Sequence, residues 1–317
     1  MKYSGVGGQA VMEGVMMRNG DKYAVAVRKP DHEIIVETFD YQLGKKAKAI
    51  RRLPVIRGVF SFVDSLYLGM STLMFSASFF EDEEDENKKQ QKLAMSKEEQ
   101  KRLEEKEAKE EKAMMTGTLI LSVVLALAIF FLLPYAVSEL LHRVIASTLL
   151  INLLEGLLRL GIFLIYITAI SLMPDIRRTY MYHGAEHKCI NCIEHGLELN
   201  VDNVRESSKE HKRCGTSFLL IVMLVSIVFF MFIRVDSRLL RLLLRLLLIP
   251  VIAGVSYEFL RLAGRYDNWL VNLLSKPGLL MQGLTTREPD DDMIEVGIAS
   301  VEAVFDWRSW QKENLNA

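Results

Sequence analysis

Cysteine is scarce in this sequence, three residues in 317, and an odd count gives no disulfide framework. The three are expected as thiols or metal ligands in the cytosol. Net charge is also nearly absent: 39 Lys and Arg against 40 Asp and Glu leave −1, which argues against a polyanion-binding role. No Lys/Arg-dense arm stands out, so nucleic acid is excluded as a partner. The N-terminus lacks a basic patch followed by an apolar core and a cleavage site, so no signal peptide is expected. The glycine-rich opening, Gly5-Val-Gly-Gly8-Gln9-Ala-Val-Met-Glu13-Gly14, lacks the Lys-Ser/Thr ending of a phosphate-binding loop, and no apolar strand precedes it. It reads as a tight-backbone loop rather than a nucleotide cradle.

What the chain has in excess is clustered hydrophobicity. Residues 113–137 hold 25 positions without a charge and 216–233 hold 18, long enough to cross a hydrocarbon core of about 30 Å. The expected fold is an α-helical polytopic membrane protein with four spans, near 113–137, 148–173, 216–233 and 239–262. Residues 54–80 are apolar but carry Arg57 and Asp64. The flanks 1–53 and 81–112 hold ten and nine Lys/Arg, so both read as cytosolic and the helix between them as interfacial or re-entrant.

The chain therefore divides into a cytosolic Gly-rich loop and β-hairpin module (1–53), the interfacial helix (54–80) and a charged cytosolic arm (81–112). A transmembrane hairpin (113–173), a cytosolic His/Cys loop (174–215), a second hairpin (216–263) and a cytosolic tail (264–317) follow. The hairpin of the first module is read from the β-rich runs Tyr23–Arg28 and Glu33–Phe39. Localisation is the cell membrane, multi-pass, with both termini cytoplasmic and membrane lipids as partners.

Four of the six histidines and all three cysteines fall between Tyr180 and Gly215. If this segment is helical up to His195, then His183, Glu186 and His187 stand at i, i+3 and i+4 and share one face. His-x-x-Glu-His is the reversed zincin order, two imidazoles for a zinc or other divalent ion and a glutamate to activate water. On this reading Glu186 is catalytic, His183 and His187 are metal ligands, and a third ligand comes from His211, Cys214 or Glu258. The reaction is then hydrolysis of a peptide or lipid-linked substrate at the inner membrane face.

A structural alternative joins Cys189-x2-Cys192 to His211-x2-Cys214 as a closed Cys3His site. Glu155 and Arg159, at i, i+4, are expected to pair with each other within their span, and Arg238, Arg241 and Arg245 to snorkel to the headgroups at the outer boundary. A third reading is non-enzymatic: a homo-oligomeric channel or scaffold in which Glu155, Arg159 and the arginines 238, 241 and 245 line or seal subunit contacts.

Gly8-Gln-Ala-Val-Met-Glu13-Gly14-Val-Met-Met-Arg18, Pro54-Val-Ile-Arg57-Gly58, Tyr182-His183-Gly-Ala-Glu186-His187-Lys188, His211-Lys-Arg213-Cys214-Gly215-Thr216-Ser217 and Leu284-Thr-Thr-Arg287-Glu288-Pro289-Asp290 together resemble the YqhQ family of bacterial membrane proteins. The blocks span nearly the whole chain. The resemblance implies membrane proteins of unknown function, catalogued as predicted metal-dependent enzymes. Cys189 and Cys192 fall outside these blocks.

Overall fold

In a computed structural model, residues 3–41, 53–80, 97–233, 235, 237–266 and 268–315 are described. The acidic half of the charged arm lies outside them. The described chain is mostly helical, with one antiparallel sheet near the N-terminus, and it separates into two units, residues 1–79 with 163–317, and residues 80–162.

The larger unit is built on a four-stranded sheet. Strands β1 (Val6–Val11), β2 (Gly14–Asn19), β3 (Lys22–Arg28) and β4 (Ile34–Asp40) lie in sequence order, each antiparallel to the next. The expected hairpin is β3–β4, with Arg28 opposite Ile34. The glycine-rich opening is not a loop, however: it forms β1 and β2, joined by a two-residue turn with Val11 opposite Gly14 and Glu13 at φ +49°. The two-residue turn at Met12-Glu13 joins two apolar runs into a hairpin, a pattern that glycine content masked.

Alternation along the strands separates two faces. Val15, Met17 and Ala26 face a buried core shared with α5 (Pro174–Glu194), α6 (Val201–Glu206) and α10 (Asp291–Val304), which contribute Tyr182, Ile190, Val204, Ile294 and Val301. Tyr23 of the other face stacks on Phe39, which meets Phe75 of α1 (Ile56–Ala77) edge-on at 5.5 Å. Gln9 of the edge strand and the Met12 N–H of the following turn donate to the hydroxyls of Thr72 and Ser76. The last turns of α1 thereby cap the open side of β1.

Helices α7 (Gly215–Met231), α8 (Arg238–Arg265) and α9 (Trp269–Thr285) complete this unit, and α11 (Trp307–Asn314) closes the chain. Where α1 crosses α8, Gly58 faces Gly254 and Tyr257, and a Cβ at Gly58 would stand 2.7 Å from the Tyr257 Cβ. Arg57 and Glu258 form an ion pair beside that crossing. Arg241 and Arg245, expected to snorkel outward, are instead buried: Arg241 donates to the Val235 carbonyl and Arg245 lies over the Phe230 ring.

The smaller unit contains α2 (Lys97–Leu127), a π-helical turn (Ala128–Leu132), α3 (Leu133–Leu141) and the first part of α4 (Thr148–Ile170). Glu155 and Arg159 pair at 2.9 Å with both side chains 2% exposed. Arg159 also donates to the Phe130 carbonyl inside the π turn. At i, i+4 the two charges satisfy each other, the arrangement that membrane depth demands.

Four helices are long and apolar enough to cross a membrane, Ile56–Ala77, Thr116–Leu141, Thr148–Ile170 and Leu239–Arg265, as in a multi-pass membrane protein. The number four agrees with the sequence reading, but the set differs. Residues 56–77 have a span's length and composition, whereas Gly215–Met231 is a shorter apolar helix of 17 residues, about 25 Å long at 1.5 Å per residue.

Candidate metal centre

The His/Cys region is helical from Pro174 to Glu194, as the i, i+3, i+4 spacing requires, while His211 and Cys214 lie in irregular backbone just before α7. Pro174 opens α5 at its first turn, where a missing N–H is harmless, with Asp175 beside it at the positive end of the helix dipole. Gly196 ends it at φ +79°, with Gly196 N–H on the Ile193 carbonyl and Leu197 N–H on the Cys192 carbonyl, the pattern of a Schellman cap. His183, Glu186 and His187 therefore do share one face. Their rings and carboxylate point into a cavity of about 150 Å³, walled also by Gly8, His211, Arg213 and Cys214.

Both imidazoles are held by carbonyls. His183 Nδ1 lies 2.8 Å from the Thr285 carbonyl and His187 Nδ1 lies 2.6 Å from that of Lys209. A carbonyl only accepts, so each Nδ1 carries the proton and each Nε2 is directed inward, as in metal-bound histidines. The rings lie 4.4 Å apart. The His183 Nε2 is 3.3 Å from the Cys214 sulfur, and ligand atoms of His183, His187 and Cys214 all fall within 4.8 Å of one another. Ligands at about 2.0–2.3 Å from one tetrahedral ion are separated by roughly 3.5 Å, so the donor set and its spacing fit a metal ion.

The electrostatics point the same way. Burial raises the Cys214 thiol, but His183 and His187 outweigh it and hold the group well below its ordinary value. Burial would lower His183, and the Cys214 and Glu186 charges reverse this, raising it to about 9. Burial pushes the Glu186 carboxyl up, against the opposing pull of His187 and His183.

Glu186 is 3% exposed, and its Oε2, 3.8 Å from the His183 Nε2, has no hydrogen-bond partner among the described residues. The carboxylate is also held by the Gly8 backbone N–H. A Cβ at Gly8 would collide with the Met16 carbonyl and stand 3.0 Å from the Glu186 Cγ. Only glycine lets the strand approach the carboxylate this closely.

The remaining candidates divide. His211 lines the cavity, its ring 5.5 Å from that of His187, but its Nε2 accepts from Arg213 at 2.9 Å and its backbone is clamped by Gln282. Burial, reinforced by Arg213, holds His211 well below the ordinary histidine value, so it stands beside the three-residue group rather than in it.

Glu258, expected as a distant third ligand, is bound by Arg57 and the Val55 N–H and does not line the cavity. The Cys3His knuckle does not form either. Cys189 packs against Gly297 and Cys192 faces the Glu198 carbonyl, both in the apolar core. At about 100° per residue Cys189 lies about 200° around the helix from His187, so the two residue pairs serve opposite faces.

Four contributors were not singled out from the sequence: Gly8, the carbonyls of Lys209 and Thr285, and Arg213. Gly8 carried a signal, as a glycine inside a β-compatible run. A backbone carbonyl carries none.

Residues 53–307 match the family model described as "Protein of unknown function (DUF1385)". The chain is also 32% identical over 309 residues, 97% of its own length and 94% of the relative's, to "Uncharacterized protein YqhQ" of Bacillus subtilis (strain 168). No solved structure matches it. With a family model covering most of its length and one relative aligned nearly end to end, the chain belongs to the DUF1385 family, and its candidate metal-binding group is His183, His187 and Cys214.

Proposed function

We propose that this protein is a metal-dependent hydrolase acting at the cytosolic face of the membrane, with His183, His187 and Cys214 holding a divalent ion, zinc by donor chemistry. One observation carries the reading: a buried glutamate oxygen without a partner among the described residues, in the same cavity as that donor set. A structural site would satisfy or omit that group, because a buried unpaired carboxylate oxygen costs about 1–3 kcal/mol or more.

Each residue has a definite task. The Lys209 and Thr285 carbonyls fix the tautomers of His187 and His183 so that Nε2 lone pairs face inward. Cys214 donates as a thiolate. A bound divalent ion supplies Lewis acidity. The Gly8 N–H orients Glu186, whose free Oε2 takes a proton from a water molecule and returns it to the leaving group. Burial raises this carboxyl, which suits a group that must hold the proton between the two transfers.

The membrane arrangement follows from parity. The sheet precedes α1 and α5 follows α4, yet sheet and α5 share one core, so an even number of crossings separates them. Three candidate spans lie in that interval, and α1, whose final turns bond to β1, is the one that does not cross. By the same count α7 and α8 cross together or not at all. The Lys/Arg-rich flanks favour the cytosol for the shared side.

Metal analysis of detergent-purified protein tests the centre. Stoichiometric metal in the wild type, its loss in His183→Ala and in Cys214→Ser, and its retention in Glu186→Gln are expected. Equal metal in wild type and His183→Ala would sink the reading. Any turnover found in a screen of lipid-linked and peptide substrates must vanish in Glu186→Gln with metal content unchanged.

A further inference from the structure

Arg213 lines four cavities, one of which is also walled by Glu194 and Glu210. The metal-centre cavity shares His183, Gly215 and Arg213 with a groove of about 500 Å³, and that groove shares Arg213, Tyr257 and Leu260 with a third cavity of about 530 Å³. The groove is largely apolar, walled by Phe62 of α1, Phe218 and Leu219 of α7 and Leu260 of α8. The Phe62 and Phe218 rings lie 5.7 Å apart.

The third cavity has the opposite character. Its charged lining is Arg213, Arg261 and Arg265, with no acidic side chain. Arg213 is balanced by Glu194 and lies over the Tyr3 ring. Glu258, one turn before Arg261 on α8, is already engaged by Arg57. Among the described residues no ion pair is formed by Arg261 or Arg265. Two exposed guanidinium groups without an ion-pair partner among the described residues, beside an apolar groove that leads to His183, complement a molecule with an anionic head and a hydrocarbon tail. Guanidinium forks match phosphate oxygens in particular.

We infer that the cleft binds a phosphate-bearing lipid, headgroup against Arg261 and Arg265 and acyl chain along Phe62, Phe218 and Leu219. This names the substrate class of the proposed hydrolase and rests on that reading for the chemistry, but the binding itself does not require the metal.

The test measures binding of dioctanoyl phosphatidate, dioctanoylglycerol and inorganic phosphate to the full-length protein in detergent, by calorimetry, with metal content determined on the same samples. Phosphatidate is expected to bind roughly tenfold or more tightly than either comparison ligand, and Arg261→Gln with Arg265→Gln to weaken it by roughly tenfold or more, since each lost charge-assisted contact is worth about a factor of ten. Metal content should be unchanged in that double variant. A Leu219→Glu variant should weaken phosphatidate and leave inorganic phosphate alone.

Equal affinity for phosphate and phosphatidate would reduce the cavity to a free-anion site and overturn the inference. Undiminished phosphatidate binding in the double-arginine variant would overturn it as well. Phosphatidate binding that survives in metal-depleted His183→Ala supports it, whether or not the metal reading stands.

Discussion

A fully buried thiol ionises only where neighbouring positive charge outweighs the loss of water. At Cys214 the imidazoles of His183 and His187 provide that charge. The other two cysteines lack such neighbours: burial raises Cys189 well above its ordinary value and Cys192 to about 11. Chelator-treated protein should therefore show thiolate absorbance near neutral pH that Cys214→Ser abolishes, with Cys189 and Cys192 silent until alkaline pH. An identical ultraviolet titration in the variant would contradict this assignment.

Gly8 offers a second test at the same scale. A methyl group there meets the Met16 carbonyl and the Glu186 side chain, so Gly8→Ala should lower stability by about 1–3 kcal/mol. The readout is a fall in the melting temperature of the detergent-solubilised protein. The histidine and glutamate positions were legible in the sequence because helical spacing alone groups them. Glu258 was not legible as an Arg57 partner, since that pairing depends on how α1 crosses α8.

At the scale of the element, α5 owes its boundaries to local signals, Pro174 at the start and Gly196 at the end. Gly196→Ala forces a side chain into positive φ and should cost about 1 kcal/mol, seen as a lower melting temperature with metal still bound. The surroundings of α5 are non-local. Gln282 of α9 donates to the His211 carbonyl and the Ser217 hydroxyl and accepts from the His211 N–H. It thereby ties down the segment between Lys209, which orients His187, and Cys214. Gln282→Ala should weaken metal affinity by roughly tenfold, the usual scale for losing support behind the ligands, measured by competition with a chelating dye. Cys189 and Cys192 show the limit of reading an element by motif. CxxC spacing suits zinc, but the helix turns both sulfurs toward the β-sheet core.

Across the whole molecule, the sheet, α5 and α10 form one core from segments far apart in the chain, and the intervening helices must return the chain to the same side. A membrane-impermeant maleimide added to intact cells should label Ser147→Cys, in the link between α3 and α4. It should leave Ser208→Cys, between α6 and α7, unlabelled until the cells are opened. The native cysteines are buried and give a low background. Labelling of both positions from outside would refute the parity argument.

Sequence by itself determined the membrane class, the helical face bearing His183, Glu186 and His187, the β3–β4 hairpin and the Glu155–Arg159 pair, because each depends on hydrophobic length or on spacing within one element. Only the tertiary structure decided that Cys214 joins the two histidines, that Gly8 supports Glu186, and that Glu258, Cys189 and Cys192 stand elsewhere. Those outcomes depend on which distant backbone lies against α5, and no local pattern encodes that approach.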